Sequence, residues 1–165
     1  MDIPILRPIG IIRTGHAHSE GTPLQPVYAG DTPGTVVVDP EYAEGLKDLT
    51  GFSRVWLLFW CHRTRPAELT VIPYRDTLSH GLFATRAPAR PNPIGLSAVK
   101  LVSVERNIVQ VAGADMLDGS PLLDIKPYVP EYDSFAGELS GWMGESKIAA
   151  STHRADRRFE RPSGE

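Results

Sequence analysis

Apolar residues recur along this chain in short runs broken by turn-forming residues, and only one stretch carries helical spacing. Ile5 to Thr14, with Ile9, Ile11 and Ile12 set among polar neighbours, predicts a first strand. Thr35 to Val38 predicts a short β-branched strand. Phe52 to His62 contains the unbroken apolar run Val55 to Trp60, bounded by Gly51 and by the polar His62-Arg63-Thr64-Arg65-Pro66. Such a run predicts a strand buried on both faces. Leu69 to Tyr74 predicts another short strand, with a turn over Asp76 to His80. Ile94 to Val104 predicts a long strand that turns at Arg106-Asn107 and returns antiparallel over Ile108 to Met116. Asp118-Gly119 predicts a tight hairpin, because a two-residue turn with positive φ favours this dipeptide, and Leu122 to Lys126 follows as a strand.

The helical stretch opens at Asp39-Pro40-Glu41 with a capping residue, a first-turn proline and a first-turn acid. Tyr42, Leu46 and Leu49 share one face, and Gly51 is placed to end it. Many short strands and one short helix predict a mainly β single domain, an antiparallel barrel or sandwich with a C-terminal arm. The domain is assigned to residues 1–150. Ser151 to Glu165 is charged and aperiodic and is expected to be disordered.

Composition sharpens this picture at three points. Pro and Gly number 15 each in 165 residues, an excess that favours short elements and tight turns. Cys61 is the only cysteine, which excludes an internal disulfide and a multi-thiolate zinc site. Its place at the end of an apolar run reads as a small buried hydrophobe. The N-terminus lacks a basic segment followed by an apolar core, and no apolar run reaches the length of a membrane span, so a cytoplasmic protein is expected.

The net charge of −3 is unevenly placed. Arg54 to Arg106 holds eight basic and three acidic residues, leaving the rest of the chain at −8. A basic centre in an acidic chain points to an anionic partner met locally. Within that centre, Arg86-Ala87-Pro88-Ala89-Arg90-Pro91-Asn92-Pro93-Ile94-Gly95 carries three prolines that fix φ and push the preceding residues into extended backbone. The segment reads as a stiff cradle for two guanidinium groups and one amide. Gly15 to Gly34 is a long loop in which Pro23-Leu24-Gln25-Pro26 is stiff and carries a second amide.

His62 and Arg63 fall where the buried strand leaves the core. Asp124 lies between Leu123 and Ile125 and needs a partner, for which Lys126 is on the same face. His16 and His18 have no third ligand at metal spacing, so no metal is expected. No strand–glycine loop–helix motif, nucleophile elbow or Cys–His pair stands out.

Two long motifs take the reading further. Gly81 to Gly95, together with Asp118-Gly119-Ser120-Pro121-Leu122-Leu123-Asp124-Ile125-Lys126-Pro127-Tyr128, resembles the TrmO family, also called TsaA-like or YaeB-like. The likeness runs from about Ile5 to Asp133. It implies a single β-barrel, a homodimer, and S-adenosylmethionine-dependent methylation of the exocyclic amine of threonylcarbamoyl-adenosine beside the anticodon of tRNA.

Carried over by position, the cofactor contacts are Pro23, Leu24, Gln25, His62, Arg63, Arg86, Leu96, Asp118, Gly119, Ser120 and Pro121. Arg65, Arg90, Asn92 and Lys126 suit RNA phosphates or the acidic threonylcarbamoyl group. Asp124 is the candidate acceptor beside the amine, and Tyr128 the candidate for orienting the base. Many bacterial members carry a further C-terminal domain thought to help hold tRNA. The alternative is an S-adenosylmethionine-binding sensor or accessory protein without RNA methylation, and the third is a metal-dependent hydrolase using His16, His18 and His62.

Overall fold

The computed structural model describes residues 5–162. Its strands are β1 (Gly10–Thr14), β2 (Pro33–Val38), β3 (Arg54–Trp60), β4 (Thr70–Val71), β5 (His80–Gly81), β6 (Ile94–Glu105), β7 (Ile108–Ala112) and β8 (Ser120–Pro127). Six of them close into an antiparallel barrel in the order β1-β2-β7-β6-β3-β8, and β4 and β5 form a separate two-stranded ladder. The β-rich expectation holds, and the choice between barrel and sandwich resolves as a barrel.

Alternation decides which side chains fill the interior. In β3, Val55, Leu57 and Phe59 point inward and are buried, while Trp56, Leu58 and Trp60 are half-buried on the outer wall. The strand is therefore not buried on both faces, because a closed barrel has one interior and its outer wall is only partly covered. Ile12, Val36, Val99, Val109 and Leu122 complete the core from the other five strands.

The predicted helix is instead two stretches of 3₁₀ helix, Pro40–Leu46 and Leu49–Gly51, with Asp48 between them at φ 64°. Its bonds are three residues apart, as in Tyr42 N–H to the Asp39 carbonyl and Lys47 N–H to the Glu44 carbonyl. Leu46 and Leu49 still turn inward and plug the rim where β2 ends and β3 begins, but Tyr42 is exposed. The only α-helical segments among the described residues are the single turns α1 (Pro130–Asp133) and α2 (Trp142–Glu145).

Two further expectations are corrected. Asp118-Gly119 is a turn with Gly119 at φ 76°, but it does not join a hairpin. The strand before it, β7, pairs with β2 and β6, whereas β8 pairs with β1 and β3. The tail is also placed: residues 151–162, expected to be disordered, lie against the body. Phe159 is 2% exposed in a second apolar cluster with Val71, Leu82, Ala87 and Ala89. A single buried aromatic ring stabilises by up to roughly 3 kcal/mol, enough to dock a segment whose other residues are charged. Residues 163–165 lie outside the described residues.

Candidate functional site

The barrel topology collects most of the candidate residues at one rim. There β1 and β3 end and β6 and β8 begin, so the early loop, the segment after β3, the proline loop and the Asp-Gly turn all meet. The proline loop is built as an alternating wall. Thr85, Ala87 and Ala89 face the second apolar cluster and are buried, which turns Arg86 outward. Thr85 Oγ1 donates to the Leu82 carbonyl at 2.8 Å and accepts from Ala87 N–H at 3.2 Å, fixing the entry. Cys61 N–H donates to the Pro93 carbonyl at 2.7 Å and ties the exit of the loop to the end of β3.

Arg86 Nη1 donates to Gln25 Oε1, joining the cradle to the early loop across 61 positions of sequence. The other predicted guanidinium behaves differently. Arg90 Nη1 points inward to the carbonyls of Leu82, Thr85 and Ala87 at 3.1–3.3 Å, and the group lies over the Phe83 ring. Arg90 is thus a staple of the cradle, and Arg86 is the cation it presents.

Opposite the cradle, Gly119 brings the turn close to β3: His62 Nε2 lies 3.9 Å from where a Cβ on Gly119 would sit. Asp118 is set by its own backbone and by β1. Its N–H donates to the His16 carbonyl at 2.9 Å, its Oδ1 accepts from Thr14 N–H at 3.1 Å, and its Oδ2 pairs with Arg13 at 3.5 Å. Ser120 Oγ donates to the Leu117 carbonyl at 2.8 Å. Burial, and then the neighbouring Arg63 charge, lower the His62 pKa below the ordinary histidine value. Its Nδ1 is buried with no hydrogen-bond partner. That nitrogen is turned into the protein beside the Trp60 backbone, so Nε2, which faces the Gly119 turn, is the one placed to meet a ligand. Arg63 Nη1 donates to the Ala17 carbonyl at 2.5 Å, closing the early loop onto the same rim.

Between the cradle and the barrel lies a residue that sequence reasoning missed. Asp115 accepts a hydrogen bond from Ser97 Oγ at 2.7 Å on Oδ1. Burial pushes its carboxyl up to about 6, and the Ser97 bond and the Arg86 charge offset this only in part. The signal was an acid between apolar neighbours, Ala114 and Met116, the same signal that singles out Asp124. Burial, with the Asp115 charge beside it, also pushes the Cys61 thiol up to about 12, so the thiol is not a nucleophile at neutral pH.

The raised Asp115 carboxyl has a consequence for stability. Its folded pKa lies above the unfolded value of 3.8, so the native chain binds the proton more tightly. Its contribution is fully present below that value and is lost as pH rises through about 6. In Asp115→Asn the side chain is neutral throughout. Its thermal midpoint should gain on that of the parent as pH rises from about 4 to about 7. A difference that stays constant over this range would contradict the assignment.

Other candidates fall elsewhere. Leu96, Leu58 and Asp124 are register partners in a row across β6, β3 and β8 on the outer wall. Asp124 Oδ2 pairs with Lys126 Nζ at 3.0 Å, as its sequence position suggested, and Tyr128 packs against Trp56 with ring centroids 5.5 Å apart. The structure does not bring Asp124 or Tyr128 to the cradle. Arg65 pairs with Glu68 and lies over the Phe159 ring, and Asn92 is exposed at the lip of the loop. His16 bonds the Ala114 carbonyl and His18 bonds Glu160. Among the described residues, no group of three or more His, Cys, Asp or Glu is arranged to hold a metal ion.

Residues 11–134 match the model of the tRNA-methyltransferase O N-terminal domain. The chain belongs to the TrmO family. A probable S-adenosyl-L-methionine-binding protein of Pyrococcus abyssi is 46% identical over 162 residues, covering 96% of this chain and 88% of that protein. The tRNA (adenine(37)-N6)-methyltransferase of Homo sapiens is 37% identical over 139 residues, covering 79% of this chain and 31% of the human protein. Among solved structures, TrmO from Pseudomonas aeruginosa superposes with a TM-score of 0.71 at 39% identity, over 85% of this chain and 62% of that one. The chain thus spans less than two thirds of that TrmO and of the human methyltransferase. The TrmO-family match ends before the tail, so Phe159 lies outside the matched segment while Val71, Leu82, Ala87 and Ala89 around it lie inside.

Proposed function

We propose that this TrmO-family protein is an S-adenosylmethionine-dependent methyltransferase acting on the exocyclic amine of an adenosine in tRNA, with threonylcarbamoyl-adenosine beside the anticodon as its substrate. The observation that carries the reading is the meeting at one rim of the Arg86–Gln25 pair, His62 with its Nε2 toward the turn, and the positive-φ turn at Gly119.

These residues fit the cofactor by their chemistry. A fixed guanidinium suits the methionyl carboxylate bidentately, and Arg86 is held for that by Gln25. The N–H groups of Asp118, Gly119 and Ser120 are taken by the His16, Ile12 and Leu117 carbonyls and Pro121 has none, so the turn offers carbonyls to the adenine amine, with His62 beside it. Pro23, Leu24 and Arg63 complete the rim, whereas Leu96 stays on the outer wall opposite Leu58. The cofactor supplies an electrophilic methyl group on a sulfonium. What remains for the protein is position: the attacking nitrogen must sit in line, about 3–3.5 Å away, with water kept out. The stiff proline loop and the cross-linked early loop do this without a large conformational search.

Asp124 and Tyr128 are proposed to reach a reacting centre through a second copy. The outer wall they share carries Ile94, Leu96 and Val102 exposed and Trp56 and Trp60 half-buried, a surface suited to a homodimer. Arg65, Asn92 and Lys126 are exposed or half-exposed and suit phosphates, whereas Arg90 serves the RNA only by holding the loop. We place the work in the cytoplasm, and no helix among the described residues is long and apolar enough to cross a membrane.

The test is methyl transfer from labelled S-adenosylmethionine to tRNA from cells lacking this modification, followed by nucleoside analysis. Label in an N6-methylated threonylcarbamoyl-adenosine is the expected product. Cofactor binding without any incorporation would instead favour the sensor or accessory reading.

A further inference from the structure

The C-terminal segment runs across the back of both loops that form the candidate site. Gly21 N–H donates to the Ala155 carbonyl at 2.8 Å, and Ala155 N–H donates to the Thr22 carbonyl at 3.0 Å. Pro23 is bridged to Arg154 just beyond. On the other side, Arg65 N–H donates to the Phe159 carbonyl at 3.0 Å, Arg161 N–H donates to the Arg63 carbonyl at 2.8 Å, and Thr64 is bridged to Glu160. One stretch of chain therefore holds the residues flanking Pro23-Leu24-Gln25 and those following His62 at the same time.

Two side chains anchor it. Phe159 fills the pocket behind the cradle, edge-on to Tyr74 with ring centroids 5.2 Å apart and against Leu82, Ala87 and Ala89. It is therefore packed beneath the wall that presents Arg86. Glu160 is nearly buried and accepts from Ser19 Oγ at 3.0 Å and Arg157 Nε at 3.0 Å, and it meets His18 Nδ1 at 3.1 Å. Burial alone would raise its carboxyl, but these hydrogen bonds outweigh that and hold it at about 2. The carboxylate thus stays ionised and fastens the early loop across the physiological range.

We propose that residues 149–161 are a strut of the ligand site, with Phe159 and Glu160 as positioning residues that hold the early loop and the segment after β3 at the spacing S-adenosylmethionine requires. None of the segment belongs to the barrel, whose strands and core close without it. It braces the rim together with the β4 side of the cradle, where Phe159 packs on Val71, Tyr74 Oη donates to the Asp156 carbonyl at 3.2 Å and Arg158 Nη1 donates to the Ile72 and Pro73 carbonyls at 3.3 and 3.1 Å. The inference rests on the reading of that rim as the cofactor site, and the test separates the two.

Calorimetric titration of the full-length chain with S-adenosylmethionine is compared for the parent, Phe159→Ala and Phe159→Leu. A displacement of the order of 1 Å in a positioning element is expected to cost about tenfold or more in affinity for Phe159→Ala, with Phe159→Leu within about threefold of the parent. Val109→Ala, which opens a cavity in the barrel core, is the control for stability alone and should bind within about twofold of the parent. Parental affinity in Phe159→Ala, or an equal loss in Val109→Ala, would overturn the strut.

If Phe159→Ala does not fold, Ser19→Ala removes one of the loop's hydrogen bonds to Glu160, leaving those of His18 and the Ser19 N–H, and should weaken binding about threefold, unchanged affinity being the adverse result. A parent that binds no cofactor defeats the functional reading, and the strut is then judged by hydrogen exchange. Protection of the Gly21 and Arg65 amides should fall in Phe159→Ala while the amides of β3 keep theirs, and unaltered protection at Gly21 and Arg65 would overturn it.

Discussion

Arg86→Ala should weaken S-adenosylmethionine binding by on the order of 2 kcal/mol, about thirtyfold, while leaving the thermal midpoint of the free protein within a degree or two. The side chain is exposed and its one partner is Gln25, so the folded state loses little. The ligand loses a charged donor whose direction was already set. Arg86→Lys keeps the charge but not the planar fork, and should recover only part of the loss. A second reading accompanies the first. Arg86 lowers the Asp115 carboxyl, so its removal should move that titration upward from about 6. Calorimetry showing parental affinity in Arg86→Ala would remove this residue from the site, whatever happens at Asp115.

The largest loss of stability is expected far from the ligand, at Gly10. A Cβ at that position would stand 2.2 Å from the Val37 carbonyl oxygen and 2.9 Å from Val38 Cα. Both are backbone atoms of the neighbouring strand, so no rotamer change relieves the contact. Gly10 also lies between two ladders, opposite Val38 in β2 and Leu122 in β8. Gly10→Ala must open one of them, at a cost of about 3 kcal/mol or more. For a chain of this size that corresponds to a fall in thermal midpoint of about 10 °C. A change under about 1 kcal/mol in denaturant unfolding would mean that β1 shifts freely, against the close approach described.

The strands were legible where alternation and turn residues coincide. The β6–β7 turn at Arg106-Asn107, with Arg106 at φ 55°, stands where the sequence puts it. Sequence reading went astray where one signal serves two structures. The proline, acid and capping aspartate at Asp39 to Glu41 start a 3₁₀ helix as readily as an α-helix, and Gly45 with a left-handed Asp48 keeps the longer helix from forming. Asp118-Gly119 reports a positive φ but not which strands flank it, since pairing is decided by contacts distant in sequence.

The candidate site divides in the same way. Its proline cradle and early glutamine could be read directly, because stiffness is written in the local residues. The different fates of Arg86 and Arg90 could not, since two arginines four residues apart in an extended loop differ only in what the fold sets beside them. Asp115 carried a readable sign that the neighbouring Asp-Gly turn overshadowed. The tail was missed because its few apolar anchors, Ala155 and Phe159, are diluted among charges, and burial depends on the pocket that receives them.

The closed ring of six strands has one more effect. With every barrel strand bonded on both sides, the barrel leaves no backbone row free to recruit a further strand, the usual path to runaway sheet growth, and the separate β4–β5 ladder is only two residues long. Across the barrel wall, copies of this protein can therefore meet only through side chains. An association of that kind can be retuned one residue at a time without reopening the barrel.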